Sequence, residues 1–194
     1  MKRGLKLIRL FTFALAALLV AGLGVSAQGE DLVALKKRLL PGIKGEDNRQ
    51  IVDSSDYLWS AIGPVNTRIG GFCTGTVIGP RDVLTAAHCL WNKRTKSWLV
   101  PEAINFLAGY SKDKPHILTL DEGCRVDDTP NNTGLLFHGC DAVSGDSGSP
   151  ILGLSGDVLV VLGVHVAKAP RPGGDSLGIA IPIDSFADGA NPTP

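Results

Sequence analysis

The chain has 194 residues, and its 19 basic side chains balance its 19 acidic ones, so its formal net charge is zero. Because contacts to phosphates need a basic excess, this balance excludes a general nucleic-acid binder. The 24 glycines and 12 prolines, without long charged runs, exclude wholesale disorder and favour one turn-rich β domain or two very small ones.

Residues 1–27 are typical of a secretory signal peptide. A basic start over residues 2–9 precedes an uncharged and mostly apolar stretch over residues 10–25. The small residues at Val25-Ser26-Ala27 predict cleavage after Ala27. The alternative is an uncleaved membrane anchor, for which the apolar stretch is short. We therefore expect a secreted or periplasmic protein that does not stay in the membrane after signal cleavage.

Residues 28–50 are polar and carry several basic side chains, which is typical of a leader or pro-segment with poor order. Asp31 to Leu40 has the pattern of a short amphipathic helix, and Pro41-Gly42 ends it.

The four cysteines predict two disulfides, because exported chains oxidise their thiols. We expect one bridge in each half of the chain, Cys73–Cys89 and Cys124–Cys140. A metal site is the alternative, but zinc sites favour a short Cys-x-x-Cys spacing and neither pair has one. No metal and no organic cofactor is therefore expected.

From Ile51 onward, short apolar runs alternate with Gly, Pro and Asn turns, a pattern typical of an antiparallel β-barrel or sandwich. Leu154-Ser155-Gly156-Asp157 predicts a hairpin, and helical periodicity is weak after residue 50, with at most one turn over 184–190. The strand candidates are 59–63, 70–80, 83–87, 103–110, 116–120, 150–152, 158–167 and 177–183.

The segment Gly145-Asp146-Ser147-Gly148-Ser149-Pro150 has the composition of a nucleophile loop. A serine nucleophile needs an exposed hydroxyl and backbone N–H groups aimed at the developing oxyanion, and flanking glycines permit the tight turn. The N–H groups of Gly145 and Ser147 are the candidate oxyanion donors. A plain turn is the alternative interpretation of this segment taken alone.

The segment Thr85-Ala86-Ala87-His88-Cys89 follows a β run, and a bridge from Cys89 to Cys73 would hold His88 firmly as a general base. A single histidine is more often structural. Both segments in this order, in an exported chain, favour a catalytic interpretation.

The two segments resemble the histidine and serine boxes of the chymotrypsin/trypsin-like serine peptidases. The bacterial secreted branch near the glutamyl endopeptidases is the better match, because of the Gly-Ser-Pro ending and the later Gly163-Val164-His165. Over roughly residues 51–185, the resemblance implies two six-stranded β-barrels with the active site between them. It implies that His88 is the general base, Ser147 the nucleophile, and the N–H groups of Gly145 and Ser147 the oxyanion hole.

The same resemblance places Asp141 at the floor of the primary specificity pocket, where an acid selects Arg or Lys. His165 matches a histidine that binds a glutamate side chain in glutamyl-specific members. Because the two residues favour opposite substrates, no residue preference is predicted. The alternatives are that Asp141 supports the loop beside Cys140 and that His165 is a packed strand residue.

An acid that precedes the nucleophile, here Asp146, can pair in this family with an N-terminus released by cleavage. Ile51-Val52 is a candidate for such a terminus, although the family's usual Arg-Ile-Val-Gly-Gly junction is missing.

The mechanism also needs a carboxylate that orients the histidine and stabilises its cation. In chymotrypsin the base and the nucleophile are roughly 140 positions apart, whereas His88 and Ser147 are 59 apart. Neither Asp113 nor the Asp121-Glu122 pair lies in a segment like the family's aspartate strand. The acids between the two boxes are Glu102, Asp113, Asp121, Glu122, Asp127, Asp128, Asp141 and Asp146.

A seam at about residues 111–114 explains the short spacing, since about 70–80 residues are missing relative to chymotrypsin. We expect residues 51–194 to form an all-β, trypsin-like double β-barrel that is incomplete around the seam. Residues 51–110 would form a partial first barrel and residues 114–186 a partial second barrel. Missing strands leave open sheet edges.

The sequence therefore predicts a secreted serine endopeptidase that hydrolyses peptide bonds through an acyl-enzyme, impaired by the loss of the triad aspartate. The alternative is a catalytically inactive relic that binds a peptide or a partner. An α/β-hydrolase-type esterase is disfavoured, because the histidine precedes the serine and no strand–Gly-x-Ser-x-Gly–helix pattern occurs. The expected partner is a polypeptide substrate, and the chain is expected to be a monomer.

Overall fold

Short strands separated by turns make up the described part of the computed structural model, residues 42–44, 47–110, 118–128, 133–170 and 176–186. These residues belong to one unit, Pro41–Pro194. The predicted signal peptide, the predicted helix over 31–40 and the predicted seam over 111–114 lie outside the described residues.

Thirteen strands follow one another in the described part of the chain: β1 (Gln50–Val52), β2 (Ile62–Thr67), β3 (Phe72–Val77), β4 (Val83–Thr85), β5 (Trp91–Asn92), β6 (Ser97–Trp98), β7 (Ile104–Phe106), β8 (Leu118–Leu120), β9 (Val126–Asp128), β10 (Leu136–His138), β11 (Pro150–Ser155), β12 (Val158–Pro170) and β13 (Ser176–Pro182). Short 3-10 turns cover Trp59–Ala61, Ala87–Leu90, Pro101–Ala103 and Ile183–Ser185. The all-β prediction is therefore confirmed for the described residues.

The first half of the chain forms a four-stranded antiparallel sheet in the order β4-β3-β2-β7. The β2–β3 hairpin turns at Gly70 and Gly71, both at φ +86°, a conformation that glycine adopts without steric cost. Val65, at the centre of β2, pairs with Cys73 and Phe106 and is 2% exposed. This sheet therefore packs its core around Val65.

The second half forms a five-stranded antiparallel sheet in the order β11-β12-β13-β10-β9. The β11–β12 hairpin turns at Gly156, which has φ +62°, inside the segment where the sequence predicts a hairpin. Ile151, Val164 and Ala180 are buried on neighbouring strands. They form the core of the second half.

Two smaller ribbons complete the topology. Strand β1, from the start of the domain, pairs with β8, which belongs to the later part of the chain. Strand β5 pairs with β6, where the rings of Trp91 and Trp98 meet edge to face with centroids 5.0 Å apart. The β1–β8 ribbon thus joins residues from before and after positions 111–114, where the sequence predicts a seam.

Neither main sheet closes on itself within the described residues. Strands β4 and β7 end the first sheet, and β11 and β9 end the second. Large apolar side chains are also exposed, among them Ile51, Tyr57, Trp98 and Leu154. Open sheets with a thin core are what an incomplete trypsin-like double β-barrel produces.

No helix in the described residues is both long enough and apolar enough to cross a bilayer.

The strand predicted over 59–63 is wrong at its start. Leu58 has φ +81°, which turns the chain, and Trp59–Ala61 then forms a 3-10 turn before β2 begins at Ile62. The apolar residues at this position predicted a strand. The positive φ of Leu58 instead leads the chain into a 3-10 turn.

Replacing Val65 with Ala removes two buried methyl groups from the first core. We expect the free energy of unfolding to fall by about 2 kcal/mol, from lost apolar burial and the cavity left behind. Urea denaturation measures this change. The matched control is Val158→Ala, because Val158 is 62% exposed, and its effect should stay within about 0.5 kcal/mol. Equal losses in the two variants would contradict the assignment of the core.

Candidate active site

The histidine box begins where β4 ends. The chain passes through Ala86, which is 1% exposed, into the 3-10 turn Ala87–Leu90, and the Cys89 N–H donates to the Ala86 carbonyl at 2.9 Å. The structure pairs Cys89 with Cys73 of β3 in a disulfide. His88 is exposed on this turn. A small buried alanine and a covalent bridge therefore fix the backbone on either side of the imidazole.

The serine loop, residues 143–149, is held by its own backbone and by β12. The Asp146 carboxylate accepts the Val143 N–H at 2.6 Å, and the Ser149 N–H donates to the Asp146 carbonyl at 2.9 Å. His165 on β12 exchanges two backbone hydrogen bonds with the loop: its carbonyl accepts the Gly148 N–H and its N–H donates to the Ser149 carbonyl. The loop that carries Ser147 therefore has a defined conformation.

Thr74 of β3 connects the serine loop with the first half of the chain. Its backbone N–H donates to the Ser147 carbonyl at 2.8 Å, and its hydroxyl donates to the Gly145 carbonyl at 3.0 Å. The Cys89 sulfur lies 3.8 Å from the same Ser147 carbonyl. The two predicted boxes, which are far apart in sequence, therefore meet at Thr74 and at the disulfide beside His88.

Gly148 is a glycine because no side chain fits at its position. It has φ +91°, and a Cβ there would overlap the Thr74 carbonyl oxygen and the Thr85 hydroxyl. That hydroxyl already donates to the Thr74 carbonyl at 2.7 Å. The glycine after Ser147 thus permits the close approach of the two halves.

The structure brings the neighbourhoods of His88 and Ser147 together without a hydrogen bond between their side chains in the described part of the chain. Among the hydrogen bonds of the described residues, none uses the Gly145 N–H or the Ser147 N–H as donor. The oxyanion hole formed by Gly145 and Ser147 therefore stays a prediction.

The candidate third carboxylates contact other groups. Asp121 accepts the Asp141 N–H at 2.6 Å, and Glu122 accepts the side-chain amide of Gln50 at 3.1 Å. Asp113 lies outside the described residues. No described acid forms an ion pair or a hydrogen bond with His88. The sequence-based expectation of a missing triad aspartate stays a prediction, and the described contacts supply no substitute.

A cavity of about 590 Å³ lies beside the serine loop. Both predicted specificity residues, Asp141 and His165, line it, together with Asp146 and Arg49. Burial raises the pKa of the Asp141 carboxyl, and the nearby Asp121 carboxylate raises it further. The cavity therefore combines apolar walls with a carboxyl and an imidazole, and its role as the specificity pocket stays a prediction.

His165 is one half of a buried histidine pair. Its Nδ1 lies 2.9 Å from Nε2 of His138 on β10, and the two residues are 4% and 2% exposed. Nδ1 of His138 is buried without a hydrogen-bond partner in the described structure. Burial lowers the pKa of each ring to about 4. The pair is therefore neutral at pH 7, and a single proton lies between the two rings.

Asp146 is partly buried, and burial raises its pKa, with the Val143 N–H opposing that change. Ile51, the candidate for a released N-terminus, lies in β1, where it pairs with Thr119 and is 71% exposed. Arg49 lines the same cavity as Asp146 and forms an ion pair with Asp47 at 2.8 Å. Activation by cleavage before Ile51 stays a prediction.

Two clusters contain residue types that bind metals, but their sulfurs are bonded to each other. One cluster is Cys73, His88 and Cys89, and the other is Asp121, Cys124 and Cys140. The structure pairs Cys124 with Cys140 as it pairs Cys73 with Cys89. A metal thiolate site needs deprotonated free thiols, so these clusters are disulfide environments.

Comparison with known proteins agrees with this geometry. Residues 50–114 match the Trypsin family model, a range that contains the histidine box. Serine protease 23 from Bos taurus is 32% identical over 74 residues, covering 38% of this chain and 20% of the relative. Glutamyl endopeptidase from Bacillus licheniformis is 34% identical over 56 residues, covering 29% of this chain and 17% of the relative.

This chain is similar to the trypsin-like serine peptidases over part of its length. It matches a fifth or less of the length of these two relatives. The family-model match covers residues 50–114, which contain the first sheet and the histidine box but not the serine box.

Sequence reasoning did not single out Thr74, His138 or Lys44. Thr74 lies between the first cysteine and the histidine box, where a threonine on a strand has no distinctive pattern. His138 ends the apolar strand β10, directly before Gly139-Cys140. A histidine at the end of an apolar strand was the sequence feature that could have indicated a buried polar residue there. Lys44 contacts the loop that contains Asp141, and nothing in its local sequence marks this contact.

The histidine pair predicts how stability depends on pH. Burial holds the pKa of His138 and His165 at about 4, below the unfolded value of about 6.5. Between these two pH values, the unfolded chain therefore binds more protons than the folded chain. The stability is therefore complete above about pH 6.5 and falls as the pH drops towards 4, by on the order of 3 kcal/mol for each ring that titrates. The raised pKa values of Asp141 and Asp146 oppose part of this loss.

Chemical denaturation between pH 4 and pH 7 measures the effect. In His138→Gln the dependence on pH should become shallower, because one buried ring no longer titrates. The matched control is His88→Gln, which removes an exposed ring and should leave the dependence unchanged. The same slope in His138→Gln as in the unmodified chain would show that the pair does not govern acid stability.

Proposed function

We propose that this chain is a secreted serine endopeptidase homologue in which Ser147 is the nucleophile and His88 the general base. The observation that carries the proposal is the double hydrogen bond of Thr74, which holds the Ser147 and Gly145 carbonyls beside the disulfide next to His88. A plain turn at residues 145–150 would not need hydrogen bonds from a strand in the first half of the chain.

In the proposed reaction, the Ser147 hydroxyl attacks the carbonyl carbon of a peptide bond while the His88 imidazole accepts its proton. The oxyanion that forms accepts hydrogen bonds from the N–H groups of Gly145 and Ser147. His88 then gives the proton to the leaving amine, and an acyl-enzyme remains on Ser147. Water, deprotonated by His88, releases the acid product.

The proposed catalysis is weak because no carboxylate among the described residues orients His88. Loss of the triad aspartate lowers kcat by about 10⁴-fold in the family's best-studied example, and the oxyanion hole and binding sustain the remaining rate. Asp121 and Glu122 accept hydrogen bonds elsewhere. The alternative function is therefore a catalytically inactive relic that binds a peptide or a partner, and the exposed, unpaired imidazole of His88 favours it.

The cavity beside the serine loop is the proposed pocket for the substrate side chain. Asp141 and His165 both line it, and a carboxylate and a neutral imidazole favour side chains of opposite charge. The peptide substrate itself, the monomeric state and the absence of nucleic-acid partners are part of the proposal. Export follows from the signal-like residues 1–27 and from the two disulfides, which persist in oxidising compartments.

A fluorophosphonate probe on the purified, folded chain tests the proposal. Fluorophosphonates form a covalent bond with a serine only when its hydroxyl is activated. We expect slow labelling of Ser147, detected by mass spectrometry, that disappears in Ser147→Ala and falls by about 10²-fold or more in His88→Ala. The matched control is Ser144→Ala, which changes an exposed serine of the same loop and should label like the unmodified chain.

The outcome distinguishes the two proposed functions. Labelling that depends on His88 supports the peptidase. A chain that unfolds cooperatively, and is therefore folded, but never reacts at Ser147 supports the relic.

A further inference from the structure

Residues 42–44, which precede strand β1, contact the loop that leads into the serine loop. We call residues 139–142 the specificity loop, because Asp141 belongs to it. The Lys44 backbone N–H donates to the Asp141 carboxylate at 2.8 Å, and the Ala142 N–H donates to the Gly42 carbonyl at 3.3 Å. A three-residue peptide thus lies along this loop and binds it through its backbone.

The Lys44 side chain adds a charged anchor to these backbone contacts. Its Nζ donates to the Gly139 carbonyl at 2.5 Å and to the Cys140 carbonyl at 3.3 Å. Hydrogen bonds from a cation are shorter and stronger than those between neutral groups. The two residues are more than ninety positions from Lys44 in sequence, so the contact is a tertiary one.

Gly42 shows that the specificity loop and this peptide fit closely. It has φ +121°, and a Cβ there would overlap the Ala142 carbonyl oxygen and the Lys168 ammonium. That ammonium donates to the same Ala142 carbonyl at 2.6 Å. Only glycine fits between these groups, so the site selects a Gly-x-Lys sequence.

We propose that the specificity loop is a peptide-binding site whose ligand is the chain's own Gly42-Ile43-Lys44, and that this ligand occludes Asp141. The backbone N–H of Lys44 occupies one carboxylate oxygen, and the carbonyls of the loop hold the ammonium nearby. A basic substrate side chain would meet a carboxylate that is already hydrogen-bonded and close to a positive charge. The docking of residues 42–44 on the specificity loop is inferred from the hydrogen bonds alone. Its effect on substrates rests on the proposed function.

Amide hydrogen exchange on the full chain tests the docking without reference to activity. We expect the Lys44 amide to be protected, and its exchange to rise by about tenfold or more in Asp141→Ala, which removes its acceptor. The matched control is Asp157→Ala, because Asp157 is an exposed acid far from the loop in sequence, and it should change nothing. Exchange of the Lys44 amide in the unmodified chain at the rate of an unstructured peptide overturns the docking.

Hydrolysis of a lysine ester and of the matching uncharged norleucine ester tests the occlusion. In Lys44→Met we expect the ratio of the two rates to shift by about tenfold in favour of the lysine ester, because the ammonium that the loop carbonyls hold near Asp141 is removed, while the backbone N–H that donates to the carboxylate remains. The matched control is Lys93→Met, an exposed lysine, which should keep the ratio. An unchanged ratio in Lys44→Met overturns the occlusion of Asp141.

The two experiments separate the two proposals. If the Lys44 amide is protected and no variant hydrolyses either ester, the docking is supported and the proposed peptidase function is overturned.

Discussion

The hydrogen bonds from Thr74 to the serine loop are the contact on which the site depends. They join a strand of the first sheet to a loop of the second half, and they place the Ser147 carbonyl within reach of the Cys89 sulfur. The arrangement needs Gly148, because a side chain there would collide with the Thr74 carbonyl. A strand position, a glycine and a disulfide therefore position the serine loop beside the histidine turn, although the two main sheets are open within the described residues.

The charged groups of the site are placed around the second half. Asp141, Asp146 and the histidine pair all lie in or beside one cavity, where burial raises the pKa of the carboxyls and lowers that of the imidazoles. Each shift favours the uncharged form of its group, so the cavity tends towards neutrality. Lys44 docks on the edge of the same region. The chemistry proposed for His88 involves an exposed imidazole that no described carboxylate contacts.

The sequence predicted the elements that depend on local pattern and on covalent chemistry. Alternating apolar runs located most strands, and Gly156 located a hairpin turn that has the backbone conformation expected of glycine. The two boxes indicated the similarity to trypsin-like serine peptidases, which the match over residues 50–114 supports for the histidine box. The 3-10 turn over Trp59–Ala61 was missed, because the positive φ of Leu58 has no signal in an apolar run. The Thr74 bridge and the docking of Lys44 were missed because contacts between residues about 70 to 100 positions apart cannot be inferred from local pattern.

Nuclear Overhauser contacts in solution test the central claim, that the histidine turn and the serine loop meet at Thr74, without requiring any activity. The account predicts cross-peaks from Thr74 to Gly145 and Ser147, and from Cys89 to Ser147, in the unmodified full chain. If the protons of Ser147 show contacts only to residues of the second half, while those within each sheet are intact, the two halves do not form this site and the account is contradicted.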